Sequence, residues 1–541
     1  MEVRSRYQAI DDEASRAEAD ALCTWMRDYF ERRVDSRLID ERRSVPPHVV
    51  LDFGERGLFG IQVETAFGGL GLRNRDVARV MQQAAALDMS VGTFALVCLF
   101  PGVRPIAAFS GPALRAEVLP ALASGRMLAG YAQTEPGAGT HFQAMEARAV
   151  RGDGGWRVRG DKTWIGNSTW AGLLTTMARD VDAEGRGQRL TAFAIRTDLP
   201  GVVQGAELQS LGMRSVVQGE LSFRDVAVGP DDVLGEPGRG LEVANDSMSF
   251  SRFAIAATCI GGMQRCAQLM QRFASRRGIA TGPLDEHPVV RISIAEALAG
   301  AAATEELVQT VASALDADEP VPAELLAVCK VVGSEFLWAS ADRLVQTLGS
   351  RGYDEENLAP QLLRDARVTR IFEGTTEALL AYLGAAALSP RSGFPAMLRD
   401  RFGAPECAER LESGVQAIRT RGWPPPGVGE PGGADGPPRT WQTDRAGRIA
   451  IRAFVAAALA ARSRRTDDAL AGQAAAWARL HLEDECRAAE TSDARDQLLV
   501  EPASLRKAVD SLADAIGDID PRLAGERRGV DPLIRRDEPG A

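Results

Sequence analysis

Arg364-Asp-Ala-Arg-Val-Thr-Arg-Ile-Phe-Glu-Gly-Thr-Thr-Glu-Ala378 is the stretch on which this chain's reading turns, and its centre is Glu373-Gly374-Thr375. A carboxylate followed by glycine lets the backbone come close to a ligand, and the next hydroxyl can donate to a phosphate or ring oxygen. Alone, the same residues could as well open a surface helix, since Thr375, Thr376 and Glu377 are first-turn types. Two clusters far upstream change the weighing: Tyr131-Ala-Gln-Thr-Glu-Pro-Gly-Ala-Gly-Thr140 and Gly160-Asp-Lys-Thr-Trp-Ile-Gly-Asn167.

Three motifs in this order and at these separations resemble the acyl-CoA dehydrogenase family of flavoproteins. The resemblance implies FAD-dependent α,β-dehydrogenation of an acyl thioester, on coenzyme A or an acyl-carrier protein, to the 2-enoyl thioester. Glu373 matches the family's base, which removes the α-proton while the β-hydride goes to flavin N5. Such a base needs desolvation to raise its pKa. Thr134 matches the threonine that touches the flavin ring, and Gly137, Gly139 and Thr140 match the turn around the pyrophosphate and the thioester arm. Trp164 matches the indole that packs on the flavin, a core indole being the other reading, and Thr375 matches a flavin-phosphate contact. Tyr131, Gln133, Gly166 and Glu377 complete the cofactor set on this chain. Thr140, Arg252 and Gly374 make the substrate set. Arg276, Gln346, Gly349 and Ser350 match positions that reach the FAD of a neighbouring subunit, which implies at least a dimer.

The chain departs from the family's pattern in three places. Gly166 stands where a Thr or Ser hydroxyl meets the flavin edge, Ile279-Ala280 replaces Phe-Gly, and Gly349-Ser350 replaces Gly-Gly. The first keeps an oxygen-using flavoprotein, oxidase or hydroxylase, as an alternative, beside a flavin-binding paralogue without turnover. A threonine should be admitted at 166 unless that backbone has positive φ.

Composition sets the frame. The chain of 541 residues is too long for one core and has 45% hydrophobic residues. Its net charge of −11 argues against nucleic acid as a partner. Seven cysteines without a C-x-x-C pair and four scattered histidines predict no metal and structural thiols in a reducing cytoplasm. The charged amino-terminal residues do not read as a signal peptide, and the apolar run Phe94 to Phe100 is too short for a membrane span.

Periodicity gives an α+β chain that is mainly α. Leu22, Trp25, Met26 and Tyr29 mark an amphipathic helix in an all-helical domain, 1–127. Trp156-Arg-Val-Arg, Leu190-Thr-Ala-Phe-Ala-Ile-Arg and Leu221-Ser-Phe alternate like strands, predicting a small, mainly antiparallel β domain, 128–240. Ala256 to Phe273, Ile292 to Leu315 and Ala323 to Leu348 read as helices of a bundle carrying the base, 241–390. Residues 391–541 form an extension. Its Pro/Gly linker, 422–438, precedes apolar stripes at Ile451, Val455 and Leu459, at Leu470, Ala474 and Trp477, and at Leu505, Val509, Leu512 and Ile516. That layout resembles the extra helical domain of very-long-chain members. Each stripe is expected to pack on protein and cover the face that pairs dimers in short members, giving a homodimer. The mixed charge of these helices favours a protein neighbour over a bilayer. The electron acceptor implied by the family is a separate electron-transfer flavoprotein.

Overall fold

The structure is a computed structural model, and it describes residues 2–187, 189–421, 437–466, 468–491 and 494–517. It divides into two compact units, Met1–Thr376 with Arg462–Ala474, and Glu377–Ala461 with Ala475–Ala541.

The first unit opens with helix α1, Asp12–Arg33, whose amino-terminal N–H groups are met by the carboxylate of Asp11. Leu22, Met26 and Tyr29 are buried at the expected helical spacing, and Trp25 stacks on Tyr29 with centroids 4.7 Å apart. Helix α2, Met89–Val97, is capped by Asp88 and runs into a π-helical turn, Cys98–Val103, and a further helix to Phe109. The continuous stretch Met89–Phe109 is long and apolar enough to cross a membrane by length and composition, more than the short run Phe94 to Phe100 indicated; 83% of its apolar window is buried inside the fold.

The chain then changes to strand. Eight strands form one sheet: β1 (Leu128–Ala132), β2 (Arg148–Gly152), β3 (Gly155–Gly166), β4 (Ala171–Val181), β5 (Leu190–Arg196), β6 (Val202–Glu207), β7 (Gln218–Val228) and β8 (Val233–Leu234). Their order is β6-β7-β3-β2-β4-β5-β8, with β1 beside β4. The pairing is mainly antiparallel, but β1 and β2 both run parallel to β4. Parallel pairs need long crossovers, which alternation within single strands does not reveal.

Three long helices follow: α3 (Gly240–Ala274), α4 (Pro288–Asp316) and α5 (Ala323–Leu348). They meet at Gly333, where a Cβ would lie 3.2 Å from Ala256 Cα and 3.3 Å from Thr304 Cγ2. Between α3 and α4, Ile279 sits in a two-stranded hairpin with Gly282. Helix α6, Leu358–Thr369, leads to the turn that holds Glu373.

In the second unit, helix α7 (Thr376–Leu388) crosses α8 (Pro437–Arg465) at two glycines. A Cβ at Gly384 would lie 1.7 Å from the Thr443 carbonyl oxygen, and one at Gly447 2.1 Å from that of Leu380. Residues 422–436 of the Pro/Gly segment lie outside the described residues, and α8 already opens at Pro437. The stripe beginning at Ile451 is largely buried, as is part of that on α9 (Ala469–Glu490). The third stripe departs from expectation. It is split between two short helices, α10 (Pro502–Asp510) and α11 (Leu512–Ile516), in which Leu505, Val509, Leu512 and Ile516 are all exposed. Apolar spacing specified the helix but not a partner for its face.

Candidate active site

The turn after α6 is held in an unusual backbone shape. Glu373 has φ +56° and Gly374 φ +99°, both in the region that side chains avoid. One face of α5 fixes it. Lys330 Nζ donates to the Gly374 carbonyl at 2.7 Å, Ser334 Oγ donates to the Thr369 carbonyl at 2.9 Å, and Glu335 accepts from Thr376 Oγ1 at 2.6 Å and Arg370 Nε at 2.7 Å. From α3, Arg252 Nε donates to the Glu373 carbonyl at 3.1 Å.

The Glu373 side chain is thus presented by a turn whose carbonyls are already engaged. Its Oε2 is buried without a hydrogen-bond partner. Burial pushes its pKa up to about 7, against the pull of Arg252 and Lys330. A carboxylate so placed can take a proton near neutral pH. Tyr131, at the end of β1, feels the charge of Glu373; burial first, then that charge, raise its phenol well above the ordinary range. The phenol donates to Gln133 Oε1 at 2.5 Å.

The 131–140 and 160–167 clusters come together on the sheet. Thr163 N–H donates to the Thr134 carbonyl at 3.0 Å. Lys162 Nζ, fully buried, donates to the Gln133 carbonyl at 3.2 Å and to Glu135 Oε1 at 2.7 Å. Glu135 also receives the backbone N–H groups of Glu146 and Ala147. These bonds hold residues 133–135 against residues 162–163; the next residue, Trp164, adopts φ +58° and is 56% exposed. Gly139 and Thr140 lie on the exposed turn that follows, and a Cβ at Gly139 would meet nothing within 4 Å.

Gly166 corrects one expectation. Its φ is not positive, yet a Cβ there would lie 2.8 Å from Val97 Cγ1 and 3.3 Å from Val216 Cγ1. Val97 of α2 fills the room a threonine would need, so backbone conformation was the wrong criterion.

Thr375 is half-buried beside Gly374, and Glu377 is an exposed residue in the first turn of α7. Arg276, Gln346, Gly349 and Ser350 are all exposed. Arg351, next to Ser350, lies over the Phe273 ring at 5.9 Å, so the ends of α3 and α5 are adjacent. Gln346 stands about 24 Å along α5 from Lys330. These four residues belong to a different place on this chain from Glu373.

Reading the sequence missed Lys330, Ser334, Glu335 and Val97. Lys330 carried a signal: a lone charge inside Leu325-Leu326-Ala327-Val328-Cys329-Lys330-Val331-Val332. Among the described residues no group of three or more His, Cys, Asp or Glu is arranged to hold a metal ion.

Comparison with known proteins gives this architecture its class. The acyl-CoA dehydrogenase N-terminal, middle and C-terminal domains match residues 16–126, 130–226 and 238–388. The chain belongs to the acyl-CoA dehydrogenase family. Very long-chain specific acyl-CoA dehydrogenase from Macaca fascicularis is 28% identical over 385 residues, which cover 69% of this chain and 59% of that protein. The chain therefore spans less than two thirds of that relative's length. Butyryl-CoA dehydrogenase from Megasphaera elsdenii superposes with a TM-score of 0.65 at 24% identity, covering 71% of this chain and 100% of that one. An acyl-CoA dehydrogenase from Bacillus anthracis, solved with FAD, has a TM-score of 0.73 at 20% identity and covers 94% of this chain and 92% of its own.

Proposed function

We propose that the protein is an oxidoreductase that binds FAD and dehydrogenates an acyl thioester between its α and β carbons, with Glu373 as the base. The observation that carries this is the buried, unpartnered Oε2 of Glu373 on a turn clamped by Arg252 and Lys330, with a pKa pushed up to about 7. The residues on the sheet fit a flavin. Trp164 is largely exposed, Thr134 is fixed to Thr163, the residue before Trp164, and the Gly139 turn has room for a close approach. Tyr131, Gln133, Thr134, Gly139, Thr140, Trp164, Gly166 and Thr375 would hold it. Arg276, Gln346, Gly349 and Ser350 would serve a second copy, which makes the protein a homodimer. Bound there, FAD supplies the two-electron acceptor that the dehydrogenation needs.

Around that group the chain's own residues do the acid–base work. Glu373 Oε2 takes the α-proton, and the engaged carbonyls of Glu373 and Gly374 keep the turn from relaxing as the carboxylate becomes neutral. Thr140, Arg252 and Gly374 would flank the thioester arm, carried on coenzyme A or an acyl-carrier protein. A separate electron-transfer flavoprotein and a cytoplasmic setting go with this reading. So does the division into 1–127, 128–240, 241–390 and 391–541, supported by the change from helix to strand at Leu128 and back at Gly240.

A second reading, an oxygen-using flavoprotein, is favoured by Gly166, since Val97 keeps any side-chain hydroxyl from that position. One experiment separates the two. The FAD-loaded protein is mixed anaerobically with short- and long-chain acyl-CoA, and bleaching of the flavin absorbance is followed before and after admission of air. Bleaching that persists in air supports the dehydrogenase, fast recovery supports an oxidase, and no bleaching with any thioester overturns both of these.

A further inference from the structure

We propose that Lys330 is the positioning residue of this site: its ammonium group fixes the Gly374 carbonyl and holds the adjacent Glu373 as a carboxylate until a substrate proton arrives. The inference rests on Glu373 being the base.

Lys330 is fully buried in the first third of α5. Burying an ammonium is costly unless it is well compensated. A neutral donor would satisfy the Gly374 carbonyl at 2.7 Å without that cost. The charge therefore calls for an explanation beyond the hydrogen bond.

The charged and titratable groups that face it supply one. Arg252 and Cys259 come from α3, Glu335 from its own helix, and Glu373 from the turn. Burial keeps the Cys259 thiol neutral, with its pKa raised to about 12. Glu335 is engaged with Arg370 and Thr376. Glu373 is the carboxylate with an unpartnered oxygen, and it feels both Arg252 and Lys330. Burial lowers the Lys330 pKa to about 8, so the group is mostly charged at neutral pH. Lys330 and Glu373 therefore titrate as a linked pair, in which each charge favours the other. Removing the cation must raise the Glu373 pKa. A purely structural lysine would leave it where it is.

The test uses the full-length FAD-loaded protein. The carboxylic C=O band of protonated Glu373, isolated by infrared difference between wild type and Glu373→Gln, is titrated across neutral pH. The pH profile of flavin bleaching by acyl-CoA probes is measured in parallel. In wild type the band and the acidic limb of the profile should share a midpoint near 7. Lys330→Met should move both up by about 1 pH unit. Lys330→Gln keeps a donor for the Gly374 carbonyl and should shift them equally, whereas Lys330→Arg should leave them in place. A folded Lys330→Met or Lys330→Gln protein with an unmoved midpoint overturns the role of Lys330 while the base stands. Bleaching of Glu373→Gln at the wild-type rate removes the base, and the proposal with it.

Discussion

Gly166 and Val97 are matched in size: the position a Cβ would take on the first is 2.8 Å from Cγ1 of the second. The pair joins the end of β3 to α2, next to the face that Trp164 leaves open. Gly166→Thr should therefore be destabilising by about 1–3 kcal/mol through overpacking. Val97→Ala added to it should recover most of that loss. Thermal unfolding of both variants checks this, and a Gly166→Thr protein as stable as wild type would show that the contact yields.

Glu373→Gln separates function from stability. Because burial raises the folded-state pKa from 4.5 to about 7, the folded protein binds this proton more tightly than the unfolded chain. That favourable contribution is complete below pH 4.5 and is lost as pH rises through 7. The neutral amide escapes the loss, so the variant should match wild type at pH 4 and exceed it at pH 8 by up to about 3 kcal/mol. Flavin bleaching by acyl-CoA should fall by several orders of magnitude in the same protein. Equal melting at both pH values would contradict the buried-base geometry.

The sequence made much of this site legible because its motifs are local. Thr134 and Trp164 each sit in a short string of distinctive residues, and those strings can be matched without knowing any contact between them. What stayed hidden depends on contacts between elements distant in sequence. Lys330 reaches Gly374 across 44 positions, and Val97 reaches Gly166 from another layer. Neither contact leaves a pattern in its own segment beyond one misplaced charge. The exposed stripe of α10 and α11 teaches the converse: its spacing was read correctly as helical, but spacing does not say what an apolar face meets.

Lys162 and Glu135 offer a test of the cofactor face. Burial lowers the Lys162 pKa, and Glu135 opposes that shift. Removing one partner of such a pair leaves an uncompensated buried charge, at a cost of about 3–5 kcal/mol. Lys162→Met should therefore lower the melting temperature and, by freeing the Thr134 turn, reduce the FAD retained after gel filtration. Lys162→Met combined with Glu135→Gln should regain stability without regaining the flavin. Full flavin content in the single variant would show that the turn is held by other means.

Asp365, which feels the charge of Asp88, is a second pH-sensitive group. Asp365 accepts the Met213 N–H at 2.5 Å, and each carboxylate has a buried Oδ2 without a partner. Burial first, then Asp88, raise the Asp365 pKa from 3.8 to about 8, with Asp40 adding to the shift and Arg364 opposing it. Its stabilising proton is fully held below pH 3.8 and lost as pH rises through 8. Asp365→Asn keeps the acceptor for Met213 and cannot ionise. Its melting temperature should draw progressively above that of wild type between pH 5 and 8. A gap that stays constant over that range would mean that Asp365 is already ionised in the fold.

The last test concerns the second unit alone. Helices α7 and α8 touch through backbone at Gly384 and Gly447, so neither site has room for a methyl group. On α7, Leu379, Leu380 and Leu383 are buried, and on α8 so are Ile449, Phe454 and Leu459. Each helix thus depends on close approach to keep its apolar residues from water. Gly447→Ala would place a carbon about 2 Å from the Leu380 carbonyl oxygen, which forces the helices apart rather than bending a side chain. The expected loss is about 1–3 kcal/mol, with earlier proteolysis within 377–461 than in the remainder of the chain. Gly472→Ala is the control, because a Cβ there would meet only Ser463 Oγ at 4.0 Å, and it should leave cleavage unchanged. Equal resistance of the Gly447→Ala protein and the control would show that the crossing tolerates a wider spacing than its glycines imply.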